Sequence, residues 1–126
     1  MRGVALFFVI GSVAMVVLGL KWGVLAHVMA LDAEPVWRSS VLLGWAVLAL
    51  CGAWYHVAPR QAETRLAQAH LALGAAGAAL MLTGAAWTAL APMAAADAVE
   101  TVGGVLIVSA TAILLFNIVG ARRVEG

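Results

Sequence analysis

The stretch LAQAHLALGAAGAALMLTGAAWTALA, residues 66–91, runs 26 residues without an aspartate, glutamate, lysine or arginine. A helix rising 1.5 Å per residue needs roughly 20 apolar residues to cross a hydrocarbon core about 30 Å thick. This one segment is therefore long enough to span a bilayer. Three further apolar runs, at about 4–30, 39–58 and 99–120, have comparable length. Backbone polar groups in lipid must be satisfied within the segment, so all four runs are expected to be helices. None shows the strict alternation of a membrane barrel strand. The sequence predicts an all-α, integral membrane four-helix bundle.

Composition agrees with a bilayer as solvent. Of 126 residues, 65% are hydrophobic and only 10% charged, with mean hydropathy +1.06. A soluble domain of this size has too little interior to hide that much apolar surface. No linker or low-complexity tract divides the chain, so residues 1–126 are read as a single transmembrane domain with the lipid bilayer as its first partner. The net charge of +1 gives no basis for a nucleic-acid partner. Cys51 is the only cysteine, which excludes an intramolecular disulfide and suits a packing role.

The segments between the runs carry the breaks. LDAEPVW (31–37) holds two acids and Pro35, VAPRQAETR (57–65) holds Pro59 and a charged cluster, and APMAAADAVE (91–100) holds Pro92, Asp97 and Glu100. The spacing of Asp97 and Glu100 predicts a cap for the fourth helix. Arg2, Arg60, Arg65, Arg122 and Arg123 fall at the termini and the middle loop, against Arg38 alone in the first loop and none in the third. By the positive-inside rule both termini are expected to be cytoplasmic. Lys21, inside the first run, is expected to snorkel to the headgroups. VMA (28–30) resembles a cleavage site, but the preceding apolar region is longer than a signal peptide's and includes Lys21 and Trp22, so the first run is expected to be retained.

Small residues are abundant. GLKWG (19–23) is a GxxxG, and LALGAAGAALMLTGAA (71–86) is almost a ribbon of glycine and alanine. Such residues let helix backbones approach closely in lipid, so the third helix is expected at the centre of the bundle or at a contact between subunits. The glycines lack the strand–turn–helix setting of a phosphate-binding loop.

Chemistry-bearing residues fall into two layers, one near each face. His56 and His70 flank the middle loop and are expected at similar depth, whereas His27 lies among outer polar residues, a bilayer thickness away. Each of the three has two readings. Neutral imidazole is a common haem or metal ligand, so His27, His56 and His70 are candidate cofactor-binding residues. Equally, each fits an interfacial histidine bonded to helix-end backbone or headgroups. No three-histidine metal site is expected. Trp22, Trp37, Trp45 and Trp87 fit an interfacial aromatic belt. Asn117 is placed to hydrogen-bond between helices. No nucleophile–base set, paired carboxylates or CxxC assigns a catalytic residue.

Residues 35–84 contain LLGW (42–45), WY (54–55), Pro59 and RLAQAH (65–70). In these pieces the chain resembles the second and third helices of small membrane proteins related to subunit I of the haem–copper oxidases, including the cbb3 type. Those typically read PxHxHxNLLGW, then aromatics and PR or PA, then RLARxHFWL. A weaker similarity, in size and layout, is to styrene-oxide isomerase, a four-helix membrane enzyme family that uses haem b as a Lewis acid. Both families place histidines at the start of the second helix, where this chain has Trp37 and Ser39, and Val41 stands at the motif's asparagine.

The resemblance implies haem b as cofactor and a redox or haem-dependent isomerase role. The other reading is a non-catalytic, self-associating scaffold, or an accessory subunit of a respiratory-type complex that has lost the cofactor site. A homo-oligomer or a membrane-complex partner is expected, in a bacterial inner membrane. Transport has little support, because mid-depth positions are apolar.

Overall fold

The computed structural model describes residues 3–125, and within them every regular element is helical. Arg2, used above for orientation, lies outside the described residues. Four helical stretches are long and apolar enough to cross a membrane: Gly3–Val28, Glu34–Val57, Arg65–Leu90 and Ala94–Arg123. They are the four spans expected from the apolar runs.

Helix α1 (Gly3–Val28) closes with two backbone hydrogen bonds, Leu31 N–H to the Ala26 carbonyl at 2.8 Å and Ala30 N–H to the His27 carbonyl at 3.3 Å. This is a Schellman closure, whose pivot residue takes a left-handed conformation and is usually glycine. Here the pivot is Ala30, at φ 55°.

The second span begins at Glu34, five residues before the run read from hydropathy. Pro35 explains the difference: in a first turn its missing N–H costs nothing, and its fixed φ suits the helix. Asp32 accepts from Glu34 N–H at 3.0 Å just ahead of it. The span comprises α2 (Glu34–Ser39), a wide π-helical stretch (Ser40–Val47) and α3 (Leu48–Val57). The wide turns face α1, where a Cβ on Gly44 would collide with the Met15 side chain and one on Gly19 with Ser40. Of the GxxxG pair, Gly19 is packed and Gly23 faces open space.

Ala58 leaves helical geometry, and a single turn, α4 (Pro59–Ala62), carries the chain to α5 (Arg65–Leu90). Thr64 caps α5, its hydroxyl accepting from Ala67 N–H at 3.1 Å. The last helix, α6, runs Ala94–Glu125, starting earlier than hydropathy suggested. Asp97 therefore sits within its first turn, where a carboxylate complements the helix dipole, and does not cap it.

Helix α5 is central, touching α6 along its length and also α1, α2 and the π-helical stretch. Its contact with α6 is tightest at two glycines one heptad apart. A Cβ on Gly77 would lie 2.9 Å from the Gly103 carbonyl oxygen, and one on Gly84 would lie 2.6 Å from Glu100 N. Only glycine admits backbone that close.

Candidate functional site

Near the 58–64 turn, polar side chains from three spans meet in the interior. The sequence sends them inward by periodicity: Ala67, His70, Gly74, Gly77 and Ala78 form the buried face of α5. His70 is the large polar member of that face, 4% exposed. Tyr55, 1% exposed and two residues before α3 ends, lies opposite, with its hydroxyl 2.9 Å from His70 Nδ1. Asn117 of α6, 4% exposed, donates from Nδ2 to the Tyr55 oxygen at 3.4 Å, to the Gln61 carbonyl at 3.4 Å and to Thr64 Oγ1 at 3.3 Å. On the other side of the imidazole, Nε2 faces Cys51 Sγ at 3.9 Å.

One proton arrangement satisfies the whole set. Asn117 can only donate from Nδ2, so the Tyr55 oxygen accepts from it and its O–H donates to Nδ1 of His70. Nε2 then carries the ring proton toward the sulfur, a weak acceptor. Phe8 of α1 closes the cluster, with its ring centroid 5.5 Å from that of Tyr55 at 18° and 4.9 Å from that of His70 at 41°. Buried at membrane depth, an amide, a phenol and an imidazole are costly unless paired. Here each has a partner.

The three sequence-predicted histidines are not brought together. His70 is enclosed as described. His56 is exposed and, with Tyr55, Pro59 and Glu63, lines an open groove of about 370 Å³ on the other side of the turn. His27 is exposed in the last turn of α1, near the far end of that helix. Trp37, at a resemblance position, is exposed, and Ser39 is half-buried. Among the described residues no group of three or more histidine, cysteine or acidic side chains is placed to hold a metal ion.

A haem iron needs an imidazole nitrogen with a free lone pair and open space before it. His70 offers neither: Nδ1 accepts from Tyr55, Nε2 is turned to Cys51, and Phe8 lies over the ring. As arranged, the buried cluster does not fit an axial ligand site.

Sequence reasoning singled out Asn117 for interhelical bonding, and it has that role. Tyr55 enters that reading only within the WY piece of the resemblance, and Thr64 and Phe8 do not enter it. A signal existed for the first: Tyr55 is the only tyrosine and sits inside an apolar run, where a phenol requires a partner. No protein-family model, curated protein or solved structure matches the chain.

Proposed function

We propose that the chain is a non-catalytic building block of a membrane assembly, packing against copies of itself or against another membrane subunit. The observation that supports this is the placement of α6. Only 17% of its most apolar stretch is buried, against 33–35% for the other three spans. Its long side rests on α5, while Val105, Val108, Phe116 and Val119 point outward. On the same helix Gly104 and Gly120 have open space where a Cβ would be, so a neighbouring helix can approach there closely. The buried polar groups Tyr55, His70 and Asn117, by contrast, are paired with one another inside the bundle.

In this reading the 58–64 loop and both termini are cytoplasmic. Arg60, Arg65, Arg122 and Arg123 favour that side, and Arg38 at the opposite end is paired with Glu34. The competing reading, a haem b protein with a redox or isomerase role, draws its support from the resemblance of residues 35–84. Its ligand would be His27 or His56, because both nitrogens of His70 are engaged.

The test is the mass of protein purified in a mild detergent, read by light scattering on a size-exclusion column. A particle holding two or more 13.0 kDa chains, or a co-purifying membrane subunit, is expected. A single chain at every concentration, without a partner, would overturn the proposal. A Soret band lost in His27→Ala or His56→Ala would replace it with the haem reading.

A further inference from the structure

Because α6 is drawn against α5 by Gly77, Gly84 and Gly103, it does not close onto the second span, and a groove remains between them. Its deeper part, about 290 Å³, is walled by Val47, Leu50, Cys51 and Trp54 on one side and Leu114 and Ile118 on the other. These fall at helical i, i+3, i+4 and i+7 spacing along the second span and at i, i+4 along α6, so the groove runs with the helices. Trp54 and Ile118 also line a second part, about 450 Å³, which opens at the end of the bundle. There the walls change character: Arg60 and Gln61 stand on α4, and Arg122 stands on α6.

Both arginines are exposed, and neither forms an ion pair among the described residues, where the single ion pair is Arg38–Glu34. Glu63 lines the groove on the opposite side of the turn, with His56, and is absent from these walls. Trp54 adds an indole N–H that is buried without an acceptor. Two guanidinium groups without an ion pair among the described residues, at the charged end of an apolar trough that runs along the helices, match one class of molecule. Guanidinium presents a planar fork of donors suited to phosphate oxygens, and basic pockets between membrane helices hold acidic headgroups.

We propose that this groove binds one acidic glycerophospholipid, its phosphate between Arg60 and Arg122 and an acyl chain along Leu50, Trp54, Leu114 and Ile118. The inference requires a membrane-spanning chain but not the assembly proposed above, since the groove lies within one protomer.

The experiment is native mass spectrometry of the full chain released from nanodiscs of equimolar phosphatidylglycerol and phosphatidylcholine. One phosphatidylglycerol per chain is expected to be retained in preference. Arg60→Gln/Arg122→Gln should weaken that retention about tenfold, as losing charge-assisted hydrogen bonds does. Leu50→Trp, which fills the trough and leaves the charges, should also reduce it. Arg65→Gln/Arg123→Gln, with the same change in net charge outside the groove, should leave it unchanged, and soluble glycerol phosphate should not compete. Equal retention of the two lipids by the wild type would overturn the proposal. So would equal losses in the two arginine pairs, or displacement by glycerol phosphate.

Discussion

The hydroxyl of Tyr55 lies 2.9 Å from Nδ1 of His70, joining the second and third spans through residues fifteen apart in sequence. It also receives the Asn117 amide, so one phenolic oxygen ties three of the four spans together. An apolar core can tolerate sliding of one helix along another. This oxygen fixes their register.

Tyr55→Phe keeps the ring stacked on Phe8 but leaves His70 Nδ1 without its donor in a buried site. The expected loss is about 1–3 kcal/mol of stability, the cost of an unsatisfied buried polar group, read from the denaturation midpoint in detergent. Combined with His70→Phe, which removes the orphaned nitrogen, the two losses should be clearly less than additive. Strict additivity would show that the bond carries no energy.

Gly84→Val places a branched side chain against the Glu100 backbone, which cannot move aside as a flexible side chain would. Overpacking of this kind costs about 1–3 kcal/mol and should splay α5 from α6. Gly104→Ala, with open space around it inside α6, should raise stability by up to about 1 kcal/mol through helix propensity alone. Comparing the two variants by thermal unfolding separates close packing from helix propensity.

Ala30 occupies the left-handed pivot of the α1 closure, at φ 55°. Ala30→Gly should stabilise the protein by up to about 1 kcal/mol, the relief of left-handed strain less the added chain entropy. A lowered midpoint would mean that the pivot is not adopted in the membrane.

Cys51 is the only native cysteine, so single-cysteine variants in a Cys51→Ala background report contacts between chains directly. If copies of the chain meet through α6, Val108→Cys should give an oxidised dimer on gels, and Val24→Cys on the outward face of α1 should not. Equal dimer from both would point to random collision in the bilayer.

The four spans were legible because lipid leaves a long apolar run only one backbone solution. Their edges were less so. Hydropathy treats Pro35 as an interruption, although in a first turn it starts a helix. Asp97 and Glu100 lower the local hydropathy and so make the acidic start of α6 look like loop, although carboxylates belong at a helix N-terminus. The polar cluster was half legible. His70 and Asn117 are conspicuous in apolar text, but their pairing through Tyr55 depends on the rotation of each helix. In the second span that rotation is altered by the wide turns at Ser40–Val47, and no sequence periodicity announced them.

Asn117 stands 62 residues beyond Tyr55 and 53 beyond Thr64, on the last of the four spans. The Tyr55–His70 bond can close as soon as α5 is threaded, but Thr64, Gln61 and the phenol acquire their shared donor only when α6 arrives. A chain halted between the third and fourth spans therefore presents incompletely paired polar groups inside the membrane. Surveillance proteases and chaperones that respond to such groups would have a chemical criterion for telling an unfinished chain from a finished one.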